Sequence, residues 1–339
     1  VSSGYLPASA AARKEIFMLN LKGRGVVLGL AGLMLLQASP SRSADAVCSA
    51  DGTQPIETVT PTTVRPICKQ GSLLSFDQGG VRRYACLNLP PKAQGKAAAG
   101  AKWPLLIYLH GSITTPDSLY KEGKALFDLH NQYPLSSDPA TKGFIILSPE
   151  GRRATPYASS GPQTGTGFHW DEWYRNPTEN LDVKAVDHFL DEVVATGKVD
   201  PQRIYVFGWS NGAYMTALYG TWRSDRIAAV AQYAGANPWS RDPCPVTFSY
   251  TRKVPLFLMR NLCDALVPCA TSSAWIETLR QQDWPFAYQS VSLKGDAAPS
   301  NSACAKECSK ARGLFEHVRW PQAAVLTEML DFLKQHPLP

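Results

Sequence analysis

Short blocks of consecutive apolar residues recur along the chain at roughly even spacing. Trp103–Leu109, Phe144–Pro149, Arg203–Phe207, Ile227–Tyr233, Val254–Met259 and Phe286–Leu293 are rich in β-branched and aromatic residues. They show little polar alternation, which predicts strands buried on both faces of a parallel sheet. The intervening stretches carry helical periodicity. In Leu181–Thr196, residues Val186, Phe189, Leu190, Val193 and Val194 fall on one stripe, and His188 lies off it. Ala213–Leu218 and Ala274–Gln281 can be helical, and Ala323–Leu333 sets Leu326, Met329, Leu330 and Leu333 on one side. Val81–Leu89 predicts an edge strand, Lys92–Lys102 a surface loop, and Arg152–Gly167 a polar, Gly-rich loop. Strands alternating with helices predict an α/β fold, with a mostly parallel central sheet flanked by helices, in one domain over 47–339.

One junction in this pattern carries chemistry. Gly208-Trp209-Ser210-Asn211-Gly212 lies where the strand Arg203–Phe207 meets the helical run from Ala213. A Gly-x-Ser-x-Gly between strand and helix is the nucleophile elbow of the α/β-hydrolases, which makes Ser210 the candidate nucleophile. That fold orders its triad as Ser, acid, His. Only His317 and His336 follow Ser210; His336 sits four residues from the end, so His317 is the candidate base. Asp264 follows an apolar strand directly, at the edge where an open α/β sheet binds ligands, and is the candidate acid. The Asn211 N–H at the helix start is one candidate oxyanion donor. Leu109-His110-Gly111-Ser112 ends an early strand, where the second donor is expected, and points to the Ser112 N–H. His110 reads as structural. The aromatic cluster Phe168–Tyr174 can be either a packed base or a substrate platform; Trp170 and Trp173, with Trp209 in the elbow, are the candidate substrate contacts.

Composition changes this picture little. With 44% hydrophobic and 18% charged residues, the chain can bury one sizeable core. Residues 1–46 hold five of the Lys/Arg and two of the Asp/Glu, so the formal charge of +6 falls to +3 beyond them. No basic stripe suggests nucleic acid. Lys22 and Arg24, the eleven-residue apolar run Val26–Leu36, and Ala44-Asp45-Ala46 predict a secretory leader, with translation starting at Met18. Eleven residues are too few to span a bilayer, so no stable membrane anchor is expected there. Eight cysteines, all beyond that leader, argue for disulfides in an exported protein. Cys263, Cys269, Cys304 and Cys308 flank the proposed acid and base, where bridges would restrain their loops. Neither a metal nor any cofactor is called for.

Val199–Ala213 resembles the elbow segment of the secreted polyhydroxybutyrate depolymerase-like and feruloyl esterases of the α/β-hydrolases. Leu109-His110-Gly111, the Asp264 loop ending in Val267-Pro268, and His317 followed by Trp320-Pro321 are similar too. Two departures stand out. The loop after Gly111 reads Ser112-Ile113-Thr114, and three residues separate His317 from Pro321. The resemblance covers Trp103 to the C-terminus and implies a serine esterase acting on a polyester or a plant cell-wall ester, either feruloyl or acetyl-xylan. The same residues would also serve an acyltransferase, or be retained in an inactive hydrolase fold used for binding. Oligomeric state is open.

Overall fold

The computed structural model describes residues 48–49, 52–53, 65–94, 100–136, 138–155, 157–158, 161–162, 166–240, 250, 252–306 and 308–339. The predicted leader lies outside them. A nine-stranded sheet organises the chain. Its strands in chain order are β1 (Ser72–Gln78), β2 (Val81–Asn88), β3 (Trp103–Leu109), β4 (Ile145–Pro149), then β7 (Val199–Trp209), β8 (Ala229–Tyr233), β9 (Leu256–Asn261), β10 (Phe286–Val291) and β11 (Ala297–Ala298). Between them, β5 (Arg152–Ala154) and β6 (Gly167–His169) form a separate antiparallel pair. The spatial order in the main sheet is β11-β10-β9-β8-β7-β3-β4-β2-β1. Pairing is parallel from β4 to β10 and antiparallel at both margins. This is the mostly parallel sheet that the apolar blocks predict.

Alternation along β3 divides the core in two. Leu105, Ile107 and Leu109 face a layer that includes Val183, Val186, Phe189 and Leu190 of α1 (Leu181–Val194). The same layer takes Met215 and Leu218 of α2 (Asn211–Trp222) and Trp275, Ile276 and Leu279 of α3 (Cys269–Gln281). Leu106 and Tyr108 face the opposite layer, which holds Val325, Leu326, Met329, Leu330 and Leu333 of α5 (Ala323–Gln335). A sheet with apolar side chains on both faces needs helices on both, and the amphipathic runs supply them.

The margins depart from the sequence reading. Ser72–Gln78 forms a hairpin with β2 that local periodicity does not announce. Pro91–Gln94 is a short helix that overlaps the start of the expected Lys92–Lys102 loop. The stretch expected to be a plain loop over Arg152–Gly167 contains β5, whose partner β6 begins at Gly167. His317 does not sit in a loop but in the last turn of a helix, α4 (Lys310–Val318). His188 is exposed, as expected, and stacks on Phe76 with ring centroids 3.8 Å apart.

A buried ionic cluster fastens β2, β5 and α1 together. Asp182, in the first turn of α1, accepts from Arg83 Nη2 at 2.8 Å and from Arg152 Nε at 3.2 Å. Its second oxygen accepts the Asp171 N–H at 2.8 Å, and Asp171 pairs with Arg152 at 3.2 Å. All four side chains are buried. Burial would raise the Asp182 carboxyl, but Arg152 and Arg83 outweigh it and hold it below its ordinary value. Its contribution to stability is therefore present above the ordinary carboxylate range and is lost as pH falls through the lowered value. Asp182→Ala removes a carboxylate shared by two buried guanidinium groups, of which Arg152 retains Asp171. We expect a loss of about 3–5 kcal/mol, read as a lower midpoint in urea unfolding at neutral pH.

Candidate active site

The C-terminal ends of β3, β7 and β9 meet at one edge of the sheet, and each delivers a segment of the site. The turn from β7 into α2 places Ser210 at φ 56° and ψ −123°. A non-glycine residue at positive φ is held there only by its surroundings, at a cost of about 1–3 kcal/mol. Those surroundings are tight. A Cβ on Gly208 would lie 2.2 Å from the Gly212 carbonyl oxygen, and one on Gly212 would lie 2.1 Å from the Leu109 carbonyl oxygen. Both glycines are thus required by close backbone approach. The Ser210 N–H donates to the Tyr233 carbonyl at 2.9 Å, tying the turn to β8.

The structure brings Ser210, His317 and Asp264 into one hydrogen-bonded line. His317 Nε2 lies 2.9 Å from Ser210 Oγ, and His317 Nδ1 lies 2.7 Å from Asp264 Oδ2. The other Asp264 oxygen accepts the N–H groups of Leu266 and Val267, each at 2.8 Å. With Nδ1–H donating to the carboxylate, Nε2 is free to accept the serine proton. Such a line can transfer a proton from hydroxyl to imidazole while the carboxylate fixes the ring's tautomer. His336, by contrast, bonds the Phe332 carbonyl at the end of α5 and has no part in the line.

His317 is positioned through the backbone around it. A helix ends with carbonyls that lack intrahelical partners. At the end of α4, Asn261 Nδ2 donates to the Glu316 carbonyl at 2.9 Å and Trp209 Nε1 to the His317 carbonyl at 3.1 Å. The Tyr233 hydroxyl donates to the Arg319 carbonyl. The donors come from the ends of β9, β7 and β8. Two disulfides, Cys263–Cys308 and Cys269–Cys304, join the acid loop and the start of α3 to the segment leading into α4. A third, Cys68–Cys86, anchors the segment before β1 to β2.

The loop after β3 passes directly against the serine. A Cβ on Gly111 would lie 3.3 Å from Ser210 Cβ. His110 is buried, and its ring is taken up structurally. Nδ1–H donates to the Gly111 carbonyl at 2.8 Å, and Nε2 accepts the Gly151 N–H at 2.9 Å. Burial pulls its pKa down to about 4. The Ile113 N–H donates to the Phe168 carbonyl at 2.8 Å. These bonds leave out the Ser112 N–H, and those at the start of α2 leave out the Asn211 N–H.

The Asn211 side chain is fully used. Its oxygen accepts the Trp170 N–H at 2.7 Å, and its nitrogen donates to the Trp170 carbonyl at 3.1 Å and to Glu172 at 2.8 Å. This lock between the elbow and residues 170–172 escaped the sequence reading, as did the roles of Tyr233 and Asn261. The three candidate substrate contacts need correction. Trp170, Trp173 and Trp209 are 0%, 2% and 3% exposed, so none presents a ring face as a platform. Trp170 donates from its indole to the His110 carbonyl at 2.9 Å. Trp173 packs on Ala154, and Trp209 lies beneath Gly111 while holding His317. Trp170 and Trp173 form the packed base that the aromatic cluster also allowed, and Trp209 is buried as well. Among the described residues no cluster of His, Cys, Asp and Glu could hold a metal ion, and no helix is long and apolar enough to cross a membrane.

The chain is similar to several known proteins. Residues 157–244 match the prolyl oligopeptidase family. The poly(3-hydroxyalkanoate) depolymerase C of Paucimonas lemoignei is 29% identical over 139 residues, covering 40% of this chain and 28% of that relative. The chain therefore matches little more than a quarter of its length. A thermostable esterase superposes with a TM-score of 0.52 at 16% identity, over 80% of this chain and 64% of the other. A ferulic acid esterase superposes with a TM-score of 0.51 at 16% identity, over 78% and 97%. The fold is that of the α/β-hydrolases.

Two outcomes follow from these contacts. Trp170→Ala should cost about 3–5 kcal/mol in thermal unfolding and depress turnover of small and large substrates alike. The buried His110 binds its proton only near pH 4, whereas in the unfolded chain it does so near 6.5. Stability should therefore be full above pH 6.5 and decline by about 3 kcal/mol toward pH 4, as the unfolded state takes the proton. A melting profile against pH should be flatter over this window in His110→Gln.

Proposed function

We propose that the chain is an exported serine esterase that hydrolyses carboxylic esters through an acyl-enzyme. The observation that carries this reading is the line from Ser210 through His317 to Asp264, at 2.9 and 2.7 Å, on a turn strained as a nucleophile elbow. Ser210 Oγ attacks the ester carbonyl as its proton passes to His317 Nε2. The N–H groups of Asn211 and Ser112 hold the oxyanion that forms, in an environment where fixed donors need no reorganisation. Asp264 keeps Nδ1–H in place and stabilises the imidazolium. His317 then gives its proton to the departing alcohol, leaving the acyl group on Ser210. Water, deprotonated by His317, attacks the acyl carbonyl and frees the acid, and the serine regains its proton.

The substrate proposed is an aliphatic polyester of the poly(3-hydroxyalkanoate) type, supported by the similarity to the Paucimonas lemoignei depolymerase. Export is supported by the Ala44-Asp45-Ala46 leader and by three disulfides, which form and persist outside the reducing cytosol. Hydrolysis of an amide is a second reading, favoured by the match of residues 157–244 to the prolyl oligopeptidase family. A nitrophenyl ester and the nitroanilide of the same acyl group separate the two, and turnover of the ester alone is expected.

Ser210→Ala should abolish both ester turnover and labelling by a fluorophosphonate, with the melting temperature unchanged. His317→Ala and Asp264→Asn should each lower turnover by about a thousandfold or more. Normal activity in Ser210→Ala would refute the assignment.

A further inference from the structure

Asp264 and His317 stand 53 residues apart in sequence, one on the loop after β9 and the other on α4. Their contact at 2.7 Å has to be held closely, because small misplacements in a reacting line cost large factors in rate. Apolar packing of α4 does not hold it. Within residues 312–318 of that helix only Gly313, Glu316 and His317 are buried. The Cys263–Cys308 disulfide ties the helix to the acid loop, but Cys308 precedes the first turn and His317 lies in the last. A helix of nine residues is about 13 Å long, so a pin at its start fixes its far end poorly.

Asn261 grips the acid and the base segments with the two ends of one amide. Its Nδ2 donates at 2.9 Å to the carbonyl of Glu316, the residue before His317. Its Oδ1 accepts at 2.9 Å the N–H of Cys263, the residue before Asp264. The side chain is 3% exposed, and its backbone ends the paired part of β9, opposite Val291. The amide therefore stands on the sheet and not on either loop. Nδ2 also donates to the Tyr233 hydroxyl at 3.2 Å, and the Tyr233 carbonyl accepts the Ser210 N–H at 2.9 Å. The residue type matters. A carboxylate here would set a second acceptor against the Glu316 carbonyl, and a hydroxyl carries one donor on a shorter stem.

We propose that Asn261 is a positioning residue of the reaction, whose amide sets the spacing of Asp264 and His317 and acts on turnover through that pair. This rests on the esterase reading above and adds to it the device that fixes the acid against the base. The amide touches neither Ser210 Oγ nor the His317 ring, so its effect is indirect. It reaches each partner through the backbone of the preceding residue. Cys263 is held twice, by its sulfur to Cys308 and by its N–H to Asn261, so both ends of α4 are referred to the same short stretch of the acid loop.

The test is a double-mutant cycle on the full chain, read as steady-state turnover of a soluble nitrophenyl ester well below each variant's melting temperature. Asn261→Leu keeps nearly the same volume and removes both ends of the amide. Tyr233→Phe removes one hydroxyl of the same network and decides the matter if Asn261→Leu does not fold. Asn261→Leu should lower kcat by about a hundredfold with KM within about twofold, and Tyr233→Phe should lower kcat by about fivefold. In an Asp264→Asn background each change should cost less than about threefold, because the pair to be positioned is already lost. A merely structural amide would instead multiply the Asp264→Asn loss in full. Equal losses in the two backgrounds, or a raised KM with kcat intact, would overturn the proposal while leaving the esterase reading in place. If the parent neither hydrolyses the ester nor reacts with a fluorophosphonate, the esterase reading itself fails, and the positioning role falls with it.

Discussion

The close approach of the α2 backbone to the ends of β3 and β7 is the constraint on which the site depends. At Gly208 and Gly212 there is no room for a single additional carbon atom, because the Gly212 and Leu109 carbonyls already occupy it. Between these two glycines Ser210 sits at positive φ, with its hydroxyl 2.9 Å from the histidine. Strain of this size survives only when many weaker interactions agree on it. The parallel register does much of that work, setting Gly208 opposite Leu109 and Trp209 opposite Tyr233.

The strained turn is supported from the side by buried polar groups. Asn211 locks the elbow to residues 170–172, and Trp170 holds the His110 carbonyl. Asp171 is fixed in turn by the Arg83, Arg152 and Asp182 cluster. A buried polar network stabilises only when its members are satisfied, and it then defines one arrangement over its neighbours. The sheet margin that local patterns describe poorly is thereby coupled to the centre of the site.

The histidine is held differently, by three carbonyls at the end of α4 and by two covalent bridges. A short helix outside the sheet has little apolar area with which to fix itself. Donors from three strand ends and the disulfides supply the restraint that packing alone would not. The same helix leaves Leu314, Phe315 and Val318 exposed.

The chain's linear order was enough to identify the α/β sheet and to single out the elbow turn with Ser210, Asp264 and His317, which the fold brings into one hydrogen-bonded line. Runs of apolar residues report burial directly, the Gly-x-Ser-x-Gly turn is local, and few histidines follow it. Sequence could not decide which face of the aromatic cluster meets water. Trp170 and Trp173 are equally suited to a platform or a base, and they are placed against Asn211 and Ala154. Nor could it announce β1, the β5–β6 pair, the disulfide partners, or the cluster around Asp182. The pairings and contacts form only in the folded chain, and for Asp182 the partner Arg83 lies 99 residues away.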